Sequence, residues 1–99
     1  MFIIELSYIR PLDEIDFFMK AHLDFLESQY QQNRFIASGR KVPRNGGIIL
    51  ARADSRETIE QIVALDPFVK NKVAQATIIE FNPTMTLPGF DNLKEPACR

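Results

Sequence analysis

Apolar positions recur along the chain in two alternating periods. Phe2, Ile3, Ile4, Leu6, Tyr8 and Ile9 form a β-branched and aromatic run interrupted by Glu5 and Ser7, which predicts a strand over Phe2 to Ile9. Arg10-Pro11 ends it, because proline removes a ladder donor. The period then changes. Ile15, Phe18, Met19, His22, Phe25, Leu26 and Gln29 fall at the i, i+3, i+4, i+7 spacing of one helical face, predicting a single helix from Asp13 to Gln32. Asp13 is placed to cap it and Asp16 adds negative charge near its start. Asn33, just past the end, tolerates the left-handed conformation common there.

Phe35 to Gly39 and Gly46 to Ala53 read as two strands of an antiparallel hairpin. Arg40-Lys41-Val42-Pro43-Arg44-Asn45 is their loop and Asn45-Gly46-Gly47 the turn punctuation. Asp54 or Ser55 caps a second helix with Ile59, Ile62, Val63 and Asp66 on its stripe. Asp66-Pro67 breaks that helix, since the residue before proline is pushed out of the helical region. Pro67 can open a short new turn, Pro67 to Lys72, with Asp66 as its cap. Gln75 to Asn82 is the last strand, stopped by Pro83. The order is strand, helix, strand, strand, helix, strand, which is the split βαβ plait of ferredoxin-like α+β folds with a four-stranded antiparallel sheet. Two helices cover one face of such a sheet. The strands are nearly continuously apolar, so the other face is expected to be buried in a homodimer through sheet faces, with higher oligomers left open. Residues 1–83 form the expected domain. Residues 84–99 form an arm, placed to lie over a neighbouring subunit, with Leu87, Phe90 and Leu93 as its candidate anchors.

With 99 residues and 45% hydrophobic content, one domain can bury a core without staples. Twelve basic and thirteen acidic residues give a net charge of −1, so no field favours nucleic acid. Cys98 is the only cysteine, which excludes an intramolecular disulfide. Met1 to Leu6 contains Glu5 and lacks the basic start of a signal peptide, and no stretch approaches the roughly 18 apolar residues of a membrane span. A soluble, cytoplasmic protein is expected.

The one histidine changes the picture most. His22 lies on a stripe otherwise built from Ile, Phe, Met and Leu, and a titratable ring there needs a partner or a pocket. Asp66 is the candidate partner: a carboxylate beside an imidazole fixes its tautomer and makes a general base. The plain alternatives are a core histidine bonded to a backbone carbonyl and an aspartate that only caps a helix. Ser38-Gly39-Arg40 is a second candidate, offering a hydroxyl, a close backbone approach and a carboxylate or phosphate clamp that Lys41 and Arg44 would extend. Its alternative is a solvated hairpin loop. Tyr8 could line the same cavity or simply pack. One histidine and one remote cysteine supply no metal-ligand spacing.

Ala21-His22-Leu23, Phe35-Ile36-Ala37-Ser38-Gly39, Asp54-Ser55 and Asp66-Pro67-Phe68 occur in the order and spacing of the YciI-like family, which the chain resembles over roughly Phe2 to Asn82. The resemblance implies a dimeric α+β barrel of ferredoxin-like subunits. It also implies a pocket with a catalytic histidine–aspartate pair, here His22 and Asp66, with Ser38 nearby; Arg40, Tyr8 and Phe68 are the other candidate ligand-contacting residues, read from the residues themselves and not from the resemblance. One branch of the family is associated with dehydrochlorination. The chain departs from the pattern at three places: Met19 stands where an arginine is common, Asn33 replaces a glycine and Arg40 replaces a proline. The expectation is a cofactor-independent enzyme moving a proton on a small, aromatic or carbonyl-bearing substrate, by isomerisation or elimination. The alternative is a non-catalytic module binding a small metabolite in the same dimeric fold.

Overall fold

The computed structural model describes residues 1–94, so Cys98 and the end of the arm lie outside the described residues. Strand β1 (Phe2–Tyr8) leads through α1 (Leu12–Phe17) and α2 (Met19–Gln31) to β2 (Phe35–Arg40) and β3 (Gly46–Ala51). Helices α3 (Arg56–Ala64) and α4 (Pro67–Lys70) then lead to β4 (Ala74–Glu80). The strands form one antiparallel sheet in the order β2-β3-β1-β4. This is the ferredoxin-like plait, and its helices cover one face.

Strand alternation sorts the side chains. Phe2, Ile4 and Leu6 of β1 are at most 2% exposed and meet Ile15, Ile59, Ile62 and Phe68 in the core. The opposite face carries a row that the register draws across all four strands: Ile79, Ile3, Leu50 and Ala37. Within one protomer Ile79 on this face is half exposed.

Three local features differ from the periodic pattern. The long helix is two helices. At Phe18 (φ −97°, ψ 3°) the chain leaves helical geometry, and the Phe18 N–H reaches back only three residues, to the Ile15 carbonyl at 3.1 Å, a 3₁₀-type bond. Pro11, not Asp13, occupies the N-cap position, with no side-chain cap; Asp13 lies in the first turn. The stripe survives the break, because Phe18, Met19, Phe25 and Leu26 still pack against the core. Helix α2 then ends in a Schellman motif: Asn33 N–H bonds Tyr30 O and Arg34 N–H bonds Gln29 O, each at 3.0 Å, with Asn33 at φ 59°.

The third feature is a bulge in β2. Phe35 faces Ala51 but Ala37 faces Leu50, so Ile36 is an extra residue. Without it Ser38 and Arg40 would sit on the outer face with Ile48 and Gly46. With it they oppose Ile49 and Gly47 and share the helix-covered face with Phe35. Ser38-Gly39-Arg40 is therefore strand, and the loop begins at Lys41. Beyond β4, Leu87 and Phe90 are 73% and 53% exposed, so these two expected anchors do not bury within the protomer.

Candidate functional site

Between α2 and the β2-β3-β1 part of the sheet lies a cavity of about 340 Å³, in the range of small-molecule sites. Its volume follows from residue size. Gly39, Gly47 and Ser38 on the sheet side present almost no side chain beneath Met19, His22 and Leu26 of α2. Leu6, Ile49 and Phe68 supply apolar wall, and Tyr8, Arg40 and Arg44 supply polar groups.

His22 reaches this cavity from the first turn of α2 and is 8% exposed. Its ring stacks on Phe68, with centroids 4.0 Å apart and planes within 8°. Tyr8 meets the same phenyl ring edge-on at 5.9 Å. Phe68 thus sets the imidazole plane on one side and is itself set by Tyr8. The His22 Nδ1 lies 2.8 Å from Asp66 Oδ1. Asp66 is 1% exposed and caps α4: the same Oδ1 accepts the Phe68 N–H at 2.9 Å. Capping and partnering are one arrangement here, because the cap fixes the carboxylate that faces the ring. A carboxylate at Nδ1 favours the tautomer with the proton there, leaving Nε2 as the lone-pair nitrogen. Nε2 makes no hydrogen bond within the described residues, on a ring that lines the cavity.

Ser38 also lines the cavity, and its Oγ lies 2.7 Å from the Tyr30 hydroxyl. Tyr30 escaped sequence reasoning because its contact depends on the bulge that turns Ser38 inward. A double-mutant cycle with Tyr30→Phe and Ser38→Ala, read by urea unfolding, is expected to give a coupling of about 0.5–1.5 kcal/mol, the net worth of one ordinary hydrogen bond.

The basic loop divides its charges. Lys41 pairs with Glu5 at 2.8 Å and does not line the cavity, so it does not extend the clamp expected of it. Arg44 lines the cavity while bonding Asp16. That carboxylate, with the Tyr8 hydroxyl adding to it, holds the guanidinium pKa above the ordinary arginine value. Arg40 lines the cavity with no ion pair among the described residues. Among those residues no group of three His, Cys, Asp or Glu side chains is placed to hold a metal ion, and no helix is long and apolar enough to cross a membrane.

The family model of the YCII-related domain matches residues 1–82. The chain belongs to that family. This YCII-related chain is similar in fold to the 5-chloro-2-hydroxyhydroquinone dehydrochlorinase TftG of Burkholderia phenoliruptrix AC1100, whose structure is a complex with 2,5-dihydroxybenzoquinone. The TM-score is 0.69 at 19% identity, over 83% of this chain and 94% of that one. What the two chains share is the fold, a four-stranded antiparallel α+β sheet with helices on one face. No curated protein matches the chain.

Proposed function

We propose that this YCII-related protein is a small enzyme that moves a proton without a cofactor, in an isomerisation or an elimination on a compact ring or carbonyl substrate. The observation that carries the reading is the 2.8 Å contact between His22 Nδ1 and a buried carboxylate, on a ring that lines a ligand-sized cavity and whose other nitrogen has no hydrogen-bond partner among the described residues. In this reading Nε2 takes a proton from the substrate, and Asp66 holds the ring orientation and stabilises the imidazolium that forms. Ser38, Arg40 and Tyr8 contact the substrate's polar groups while Phe68 backs the imidazole. An elimination would balance from the keto tautomer of a chlorinated hydroquinone, in which the chlorine-bearing carbon is tetrahedral: the remaining hydroxyl proton passes to Nε2, its bonding pair forms the second carbonyl, the ring π pair shifts toward the chlorine-bearing carbon, and chloride departs with the C–Cl pair to leave a quinone. Fold likeness alone does not carry function, so the test is direct. Wild-type protein is expected to release chloride from 5-chloro-2-hydroxyhydroquinone, or to exchange deuterium into the carbon beside a carbonyl in small cyclic ketones. Saturable binding with neither reaction would replace the enzyme reading by that of a binding module.

The protein is also proposed to be a homodimer through the outer sheet face. The row Ile79, Ile3, Leu50 and Ala37 supports this, with Ile79 half exposed in the protomer. Sedimentation equilibrium at micromolar concentration is expected to give twice the 11.4 kDa chain mass. A monomer would refute the sheet-face argument.

A further inference from the structure

The charges around the cavity are one-sided. Four ionisable side chains line it, His22, Tyr8, Arg40 and Arg44, and none of the lining residues is a carboxylate. Asp66 stands behind the imidazole, its Oδ1 already accepting from the ring and from the Phe68 N–H. Of the three neighbouring cations on β2 and its loop, Lys41 is matched by Glu5 and Arg44 by Asp16; Arg40 has no counter-charge among the described residues. Arg40 is also held in a strand, as the last residue of β2. The bulge at Ile36 places it on the helix-covered face, opposite Gly47, which opposes Leu6 on β1. Gly47 has no side chain, so the space beside the Arg40 stem is open to the cavity. An unmatched guanidinium at the edge of an apolar chamber is suited to an anion, which it can bind through two parallel charge-assisted hydrogen bonds.

We propose that the cavity selects small ring compounds bearing one negative charge, a carboxylate or an ionised ring hydroxyl, and that Arg40 is the residue that reads this charge. The ring lies against Leu6, Met19, Leu26 and Phe68, and Arg44 adds to the positive field while remaining tied to Asp16. This inference rests on the reading of the cavity as a ligand site but not on catalysis. A neutral substrate would leave the His22–Asp66 chemistry intact and this inference wrong.

The test is a matched pair of probes of nearly equal shape, 4-hydroxybenzoate and 4-hydroxybenzamide, titrated into the full chain and followed by calorimetry and by amide NMR shifts of Gly39 and Gly47. The benzoate is expected to bind at least about tenfold more tightly, as one charge-assisted contact allows, and to weaken as salt is raised while the amide does not. Arg40→Gln should bring the two probes to within about threefold, and Arg40→Lys should keep part of the preference. Lys41→Gln, which removes a neighbouring cation that is paired with Glu5 and does not line the cavity, should retain it. Equal binding of the two probes, absence of saturable binding by either, shifts remote from Gly39 and Gly47, or an undiminished preference in Arg40→Gln would each overturn the assignment. Loss of turnover in His22→Ala with the preference unchanged would separate the charge reading from the catalytic one.

Discussion

Replacing His22 by glutamine is expected to lower kcat by about 10²- to 10⁴-fold, the usual contribution of a positioned general base, while leaving KM within a few-fold. Glutamine approximates the volume of the ring but offers no titratable nitrogen to the cavity. Asp66→Asn is the companion experiment. An asparagine can still present an oxygen to the Phe68 N–H and so keep the cap, but it carries no charge to stabilise an imidazolium. If its NH₂ turns toward His22, the ring must place its own proton on Nε2 and loses its lone pair there. The expected result is a fall in kcat of about tenfold or more with a thermal midpoint close to wild type. Asp66→Ala differs in kind, because it removes the cap and leaves the buried Nδ1 unpaired. The two costs, about 0.5–2 kcal/mol for a cap and about 1–3 kcal/mol for an unsatisfied buried donor, point to a destabilisation of about 1.5–5 kcal/mol. Kinetics and calorimetry on the three variants separate catalytic from structural roles. Full activity in both His22→Gln and Asp66→Asn would end the dyad mechanism.

The fold was legible where the local chemistry of one or two residues decides it. The period-2 burial of Phe2, Ile4 and Leu6, the capping hydroxyl of Ser55 accepting from Thr58 N–H and the helix break at Asp66-Pro67 all follow from residue type. Asn33 in the left-handed region is of the same kind. What escaped depends on partners distant in the chain. Nothing at Phe17-Phe18-Met19 marks a break, since neither proline nor glycine is present. The bulge at Ile36 exists only as a register difference between two strands, so no reading of β2 alone could have found it. Yet it decides which face Ser38 and Arg40 occupy, and with them the Tyr30 contact. His22 and Asp66 show the same limit. Each residue type was informative, but 44 residues separate them, and only family resemblance argued that they meet. Lys41 and Arg44 look equivalent in sequence; what distinguishes them is that Glu5 takes Lys41 while Arg44 stays on the cavity wall.

Gly46 is the clearest case of a residue with a readable type and an unreadable role, and its replacement should have the largest structural effect. In sequence it is turn punctuation at the start of an expected strand, with nothing to show what it packs against. In the structure it is the first residue of β3, buried, paired in register with Ser7, and its backbone is not in the left-handed region. Close approach is what demands glycine here. A Cβ at this position would collide with the Leu6 carbonyl oxygen and lie 3.0 Å from its carbon and 3.3 Å from Ser7 Cα. Those atoms are backbone in a paired strand, so no rotamer change relieves the clash. The Gly46 carbonyl also accepts the Lys41 N–H at 2.9 Å, and Asn45 O accepts the Tyr8 N–H at 2.9 Å. Separating β1 from β3 here therefore displaces the basic loop and Tyr8 together. Gly46→Ala is expected to cost about 3 kcal/mol or more, at or beyond the upper end of overpacking effects, and to lower the thermal midpoint by roughly 10–20 °C. Gly39→Ala is the internal control, since its Cβ would meet nothing within 4 Å; it should be neutral or slightly stabilising in the protomer, because alanine restricts the unfolded chain. Gly47→Ala falls between them, its Cβ 3.2 Å from the Gly39 carbonyl oxygen. Because Gly47 lines the cavity, that variant should weaken ligand binding more than it weakens the fold. A calorimetric series in which the Gly46 and Gly39 variants melt together would show that the sheet yields at this contact, and the spacing of β1 and β3 could not then be what holds the cavity open.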